Sequence, residues 1–137
     1  MNRRQARRVA LQALYQMDVA KSSLDEAIAF AMEGAGNTAE GTDFARELAG
    51  GAYFLICELD PVIKPTLKGW LMERLPRVDL DILRMALYEM ITSVTPKSVI
   101  INEAVELAKE FSTDDSGRFV NGVLATLAKN LEEPPVT

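Results

Sequence analysis

Apolar residues recur every three or four positions along most of this chain, and this spacing limits its fold more than any other feature. Such a pattern places side chains on one face of an α-helix, whereas a half-buried strand alternates at every second residue. The pattern is clearest in residues 79–94, where its apolar members are Ile82, Leu83, Ala86, Leu87, Met90 and Ile91. Residues 99–101 alone fit a short strand, but the residues after them return to helical spacing. We therefore expect an all-α protein.

Capping and breaking signals divide this pattern into seven helices. Ser23 begins a capping box with Glu26, Thr42 can cap a third helix, and Asp60 followed by Pro61 is typical of a helix start. The predicted helices are residues 1–17, 23–32, 42–59, 60–75, 79–94, 98–111 and 114–131. We expect Asp114 or Asp115 to cap the last helix, a loop at residues 34–41, and Pro134 and Pro135 to end the fold. A chain of 137 residues has the usual size of a single domain.

Positive charge is concentrated at the N-terminus of an otherwise acidic chain. The sequence has 15 Lys and Arg against 20 Asp and Glu, yet Arg3, Arg4, Arg7 and Arg8 all precede the first acid, Asp18. Cations in a first helical turn oppose the helix dipole by about 0.3–1 kcal/mol each, and like charges four residues apart repel one another. Because this segment is poorly built for its own stability, we expect it to bind an anion.

The other face of the same helix is apolar, with Ala6, Val9, Ala10, Ala13, Leu14 and Met17 as its members. The spacing predicts that this face meets the core while the arginines face outward. Tyr15 lies seven residues after Arg8 and eleven after Arg4, so it continues the basic side as an exposed aromatic. Guanidinium groups hold phosphates and an exposed ring can stack on a base, so this face predicts contact with single-stranded RNA.

The composition excludes many kinds of catalytic and metal site. The sequence has no His, which removes imidazole zinc sites and the Ser-His and Cys-His nucleophile pairs. The lone Cys57 cannot form a disulfide within the chain, and no apolar run is long enough to cross a membrane. Phosphate-binding loops and dinucleotide fingerprints are also missing. We expect a protein of the reducing cytoplasm that is not an enzyme and holds no metal or cofactor.

Four sequence blocks carry a further signal through their order and spacing. They are Arg-Arg-x-Ala-Arg-x-x-Ala-x-Gln-Ala-Leu-Tyr at 3–15, Val-Asp-x-x-Ile-Leu-Arg-x-Ala-Leu-Tyr-Glu at 78–89, Ile-Asn-Glu-Ala-Val-Glu-Leu-Ala-Lys at 101–109 and Phe-Val-Asn-Gly-Val-Leu at 119–124. Together they resemble the NusB family of bacterial transcription antitermination factors, over nearly the whole chain.

This resemblance implies a compact seven-helix bundle of two small lobes. It also implies a non-enzymatic role in binding the single-stranded boxA element of ribosomal RNA leaders together with NusE, a small-subunit ribosomal protein. That complex modifies RNA polymerase so that rRNA operons are read through terminators. Self-association as a homodimer can cover the RNA face in the family.

The resemblance also assigns roles to individual positions. It implies that Arg3, Arg4 and Arg7 bind RNA with Tyr15 exposed beside them, while Arg8 joins this set on the charge argument alone. Gln5 stands where relatives can have Arg. The NusE surface and the remaining RNA path are implied near the starts of the fifth and seventh helices. The matching candidates there are Asp79, Asp115, Arg118 and Phe119.

Two alternatives remain open at this level. One is the RNA-binding module of an rRNA methyltransferase, which the lack of a cofactor-binding domain in this chain disfavours. The other is a protein-only helical adaptor or homodimer whose arginines meet an acidic partner. RNA contact through four arginines predicts that log K falls with log salt at a slope of about −3, and an RNA affinity independent of salt would contradict this mechanism. Binding to boxA-like RNA with and without NusE, together with sedimentation at the same concentration, separates the alternatives.

Two buried-residue hypotheses complete the predictions. Arg84 lies in an apolar stripe and needs a buried partner, for which Glu89 and Glu103 are the candidates, and the pair would fix how helices five and six cross. Gly122 within a helix costs about 1 kcal/mol relative to Ala, which suggests a close helix contact there.

Overall fold

The computed structural model describes residues 1–34 and 41–132. Within these residues it contains seven α-helices, two short 3₁₀ helices and no strand, which confirms the all-α prediction. The α-helices are α1 Arg3–Ala20, α2 Leu24–Gly34, α3 Thr42–Phe54, α4 Ile56–Ile63, α5 Arg77–Thr92, α6 Lys97–Phe111 and α7 Asp114–Glu132. The 3₁₀ helices are Lys64–Leu67 and Met72–Arg74. Most of the predicted 34–41 loop, and the Pro134 and Pro135 terminus, lie outside the described residues.

The chain divides into two compact units, Met1–Cys57 and Glu58–Thr137. In the first unit α1 packs against α2 and α3, and in the second α5, α6 and α7 pack on one another. The predicted apolar face of α1 is buried from Ala6 to Met17, and on α5 the predicted stripe is buried except for Ile91, which is 54% exposed. Among the described residues, no helix has the length and apolar character needed to cross a bilayer.

The region predicted as the third and fourth helices is organised differently in the structure. The third helix ends at Phe54 and a new helix begins at Ile56. Leu55, which helical spacing through residue 59 predicts to face inward, is 38% exposed. Pro61 lies inside α4, so the Asp60-Pro61 pair does not start a helix. The prediction was wrong because the Asp60 carboxylate, which looked like a helix cap, accepts hydrogen bonds from Arg84.

Arg84 is a buried cation of the second unit that pairs with two carboxylates. Its Nε and Nη2 donate to Asp60 Oδ1 and Oδ2 at 2.8 and 2.7 Å, and its Nη1 donates to Asp81 Oδ1 at 3.1 Å. Burial lowers the pKa of the guanidinium, but the hydrogen bonds and charges of both carboxylates outweigh it and leave this pKa raised. Neither of these two partners is Glu89 or Glu103, the predicted candidates. Because Asp60 lies in α4, its ion pair with Arg84 ties α4 to α5.

Glycines mark two close helix contacts. The Gly50-Gly51 pair within a helical pattern predicts a packing site, which the structure confirms at Gly50, whereas no sequence signal pointed to Gly117. A Cβ at Gly50 would lie 3.0 Å from Leu24 Cδ2 in α2, and one at Gly117 would lie 3.1 Å from Lys109 Cγ in α6. A Cβ at Gly122 would meet nothing within 4 Å, so the prediction of a close helix contact there is wrong. Helical spacing alone could not distinguish these positions, because only the packed neighbours decide which glycine is crowded.

Candidate nucleic-acid interface

The basic helix α1 begins with a cap that compensates for its unfavourable charges. Asn2 Oδ1 accepts from the backbone N–H of Gln5 at 2.8 Å, and Gln5 Oε1 accepts from the backbone N–H of Asn2 at 3.1 Å. This reciprocal capping box satisfies two helix-end donors in a first turn that contains no acid. The Asn-x-x-Gln spacing was visible in the sequence, and it gives Gln5 a structural role.

The exposed side of α1 carries three of the four predicted arginines. Arg3, Arg4 and Arg8 are exposed, and Tyr15 is 39% exposed. Arg4, Arg8 and Tyr15 share an edge of the helix, because residues seven or eleven positions apart return to nearly the same angle. This edge therefore presents two guanidinium groups in line with one aromatic ring.

Arg7 differs from the other arginines because it is buried, with 6% of its surface exposed. The prediction that it faces outward was therefore wrong. It lies on the side of α1 that packs against α3, and its Cζ is 5.4 Å from the centre of the Phe44 ring. A long side chain can bury its apolar stem while its charged head stays near the surface, and the apolar stripe could not reveal this.

Phe44 in α3 is an aromatic contact that the sequence analysis did not foresee. The helical spacing of Phe44 and Leu48 predicts that both face inward, but Phe44 is only half-buried and Arg3 Cζ lies 3.8 Å from the centre of its ring. Both arginine distances fall within the range of about 6 Å at which a cation interacts with an aromatic face. The helical spacing of Phe44 gave no sign of this, since the contact depends on how α1 and α3 pack.

In the second unit, Asp79 is buried rather than displayed. It is 3% exposed, and its Oδ2 accepts a hydrogen bond of 2.8 Å from the Ser116 hydroxyl of α7. It does not cap α5 either, because that helix already begins at Arg77 after Pro76. The Asp79 carboxylate connects α5 to α7. Asp79 could therefore affect the binding of a partner protein only through the position of α7.

Asp115 and Arg118 lie on the exposed side of the first turns of α7. Arg118 Nη1 donates to Asp115 Oδ1 at 2.8 Å, and the two side chains are 80% and 87% exposed. Neither acid of the predicted pair caps the helix, since the backbone N–H of Ser116 donates to Thr113 Oγ1 at 3.0 Å. Asp115 and Arg118 are thus accessible, and their mutual pairing is the weak kind found on surfaces.

Phe119 is half-buried and forms an aromatic pair that the sequence analysis missed. Its ring packs edge to face on Trp70, with 5.8 Å between the ring centres. Trp70 is the single tryptophan of the chain and is 62% exposed, as is the neighbouring Leu71 at 58%. A large exposed aromatic is unusual, because Trp is highly buried on average. Its position in the connection after α4 followed no periodic pattern, so the sequence offered no means of placing it beside Phe119.

The described residues give no sign of a metal centre. Across 1–34 and 41–132, no group of three or more His, Cys, Asp or Glu residues is placed to hold a metal ion. Among the exposed side chains described above are guanidinium groups and aromatic rings, which suit phosphates and bases.

Comparison with known proteins places these features in a family. The model of the NusB family matches residues 4–129. A transcription antitermination protein NusB of Symbiobacterium thermophilum is 46% identical, with 96% of this chain and 92% of that relative covered. Such relatives are antitermination factors and not enzymes, which agrees with the prediction from composition.

Solved structures show the same fold. T. maritima NusB has 31% identity and a TM-score of 0.85, with 98% of this chain and 94% of that chain covered. The crystal structure of antitermination factors NusB and NusE in complex with dsRNA has 27% identity and a TM-score of 0.83, with 93% and 96% covered. The match of both sequence and fold over nearly the full length shows that this chain belongs to the NusB family.

Proposed function

We propose that this chain is a transcription antitermination factor of the bacterial cytoplasm that binds single-stranded boxA RNA through α1 together with NusE. The complex would then modify RNA polymerase so that it reads through terminators of rRNA operons. Membership of the NusB family supports the general role. The related structure that contains NusB, NusE and double-stranded RNA supports the two partners.

The observation that carries the RNA-binding part is the composition of the exposed side of α1. Arg3, Arg4 and Arg8 are exposed together with Tyr15, on an otherwise acidic protein. Arginine holds phosphate through a planar fork of donors, and base stacking on an aromatic ring contributes about 1–3 kcal/mol. A short basic segment at the start of α1, on an acidic protein, favours local contact with a polyanion over general nucleic-acid binding.

Salt dependence tests this mechanism directly. Because only three of the four arginines are exposed, the expected slope of log K against log salt for single-stranded RNA is about −2 instead of −3. That slope corresponds to an affinity loss of about twentyfold between 50 and 200 mM salt. Fluorescence anisotropy with a boxA-like oligonucleotide measures it, and an affinity independent of salt contradicts the mechanism. A duplex of the same sequence shows whether the single strand is preferred.

A charge-matched pair of variants separates this surface from the general charge of the protein. Arg4→Ala combined with Arg8→Ala should reduce the slope by about 1.4 if each arginine meets one phosphate. Lys64→Ala combined with Lys129→Ala removes the same charge from exposed positions of the second unit and should leave the slope unchanged. Equal effects of the two double variants would show that α1 is not the RNA-binding surface.

The proposed partner residues require a separate measurement. We propose that Asp115, Arg118 and Phe119 contribute to the NusE contact or to the RNA path beside it, with Asp79 acting through Ser116. Exposed charges at an interface rim change association rates more than affinity, so Phe119→Ala should weaken NusE binding more than Arg118→Ala does. Calorimetric titration with NusE measures both, and sedimentation of the free protein shows whether a homodimer competes with RNA.

A further inference from the structure

A single aromatic ring of α3 lies beside two arginines of the basic helix. Arg3 Cζ is 3.8 Å and Arg7 Cζ is 5.4 Å from the centre of the Phe44 ring. The face of an aromatic ring is electrostatically negative, so it attracts a guanidinium group without neutralising its charge. An acid in the same place would pair with the arginine and withdraw it from phosphate, whereas the ring leaves the donors of Arg3 available.

We propose that Phe44 is a positioning residue for the RNA-binding surface, where it holds the exposed guanidinium of Arg3 ready for a phosphate. This inference rests on the proposed function. An arginine has many rotamers, and fixing such a side chain at an interface costs about 0.5–1.5 kcal/mol. Arg3 and Arg7 also repel each other as like charges four residues apart. The Phe44 ring attracts both guanidinium groups, so it offsets this repulsion and holds Arg3 in position before RNA binds.

The position of Phe44 is itself set by the backbone of α3. Gly41, the N-cap of this helix, has a φ of +87°, and a Cβ there would lie 3.0 Å from the Met1 carbonyl oxygen. Ala45, next to Phe44, is fully buried. The start of α3 is therefore fixed against the start of α1, so Phe44 is presented from a packed helix, and sites on such elements hold their geometry well.

Phe44→Leu tests the proposal because leucine keeps the apolar bulk and removes the aromatic face. We expect RNA affinity to fall about twofold to fivefold, as a cation–π interaction of about 0.5–1 kcal/mol corresponds to that change. Phe54→Leu is the matched control, since Phe54 ends the same helix, is 70% exposed and has Tyr53 as its aromatic neighbour. Its RNA affinity should match that of the unaltered protein. Phe44→Tyr keeps an aromatic ring and should bind RNA with the affinity of the unaltered protein.

A double-variant cycle distinguishes positioning of Arg3 from a general structural effect. In a protein that carries Arg3→Ala, the further change Phe44→Leu should have no effect on RNA affinity, because the arginine that the ring positions is gone. A merely structural role of Phe44 would weaken binding equally in both backgrounds, and that result overturns the proposal. If Phe44→Leu lowers the thermal midpoint, Phe44→Met provides a second aliphatic replacement of similar volume, and the same cycle applies.

The outcomes also separate this proposal from the proposed function. If the Arg4 and Arg8 double variant loses RNA affinity while Phe44→Leu binds as tightly as the unaltered protein or more tightly, the positioning role fails and RNA binding by α1 stands. If neither the unaltered protein nor any variant binds boxA-like RNA with or without NusE, the proposed function fails.

Discussion

The exposed arginines of α1 and the buried Arg84 of α5 show how one residue type serves two purposes in this protein. Arg3, Arg4 and Arg8 are exposed on a helix whose first turn contains no acid. Arg84 is buried and donates hydrogen bonds to Asp60 and Asp81. The comparison teaches that the surroundings decide the role: a guanidinium enclosed with carboxylates connects helices, and one displayed beside an aromatic ring remains able to bind an anion.

The largest expected effect comes from removing the buried arginine. Arg84→Met should lower the free energy of unfolding by about 3 kcal/mol, because it leaves Asp60 and the fully buried Asp81 without their cation. The control is Arg46→Met, since Arg46 also joins two helices through a 2.6 Å ion pair with Asp25 but both side chains are exposed. Urea denaturation should show a loss below about 1 kcal/mol for that variant. Similar losses for both variants would remove the distinction between the buried and the exposed arginines.

A smaller effect is expected where α5 meets α7. Ser116→Ala removes the hydroxyl that donates to the buried Asp79 carboxylate at 2.8 Å. Hydrogen bonds to charged groups contribute about 1.5–3 kcal/mol, so unfolding should become easier by about 2 kcal/mol. Ser98→Ala, at an exposed position of α6, is the control and should change stability little. An unchanged denaturation midpoint in Ser116→Ala would mean that the Asp79 contact does not hold these helices together.

Within α1, Arg7 and Arg8 should respond differently to the same truncation. Arg7→Ala removes a buried side chain and its contact with Phe44, so we expect a loss of about 1 kcal/mol. Arg8→Ala truncates an exposed side chain, whose interactions are screened by water, and should change stability by less than about 0.5 kcal/mol. Thermal unfolding followed by circular dichroism measures both. The reverse order of effects would show that Arg8, and not Arg7, is the structural arginine of this helix.

The smallest expected effect is a gain in stability at Gly122. Gly122→Ala should stabilise the protein by about 0.5–1 kcal/mol, because the glycine is exposed within α7 and a Cβ there meets nothing within 4 Å. Gly41→Ala should act in the opposite direction, since Gly41 has a positive φ and lies against Met1. Chemical denaturation of the two variants compares them. A loss of stability in Gly122→Ala would instead support the close helix contact that the sequence predicts at this position.

The sequence predicted the helices best where their apolar residues repeat without interruption. The inward face of α1, most of the α5 stripe and the helical character of residues 99–101 followed from spacing alone, because a continuous buried stripe fits only one secondary structure. It failed between α3 and α5. Asp60 and Pro61 form a standard helix start, but a distant arginine uses the carboxylate, and a local signal cannot show a partner 24 residues away.

For the candidate interface, the sequence by itself determined that an acidic chain carries four arginines and a tyrosine on its first helix, without His or any known catalytic motif. Charge and helical period are properties of the chain, and they need no tertiary contact. Only the tertiary structure decided that Arg7 is buried, that Phe44 lies over Arg3, that Trp70 packs on Phe119 and that Arg84 binds Asp60. Each of these contacts joins side chains from two different segments. Which side chains meet is decided by the packing of segments that are distant in the sequence.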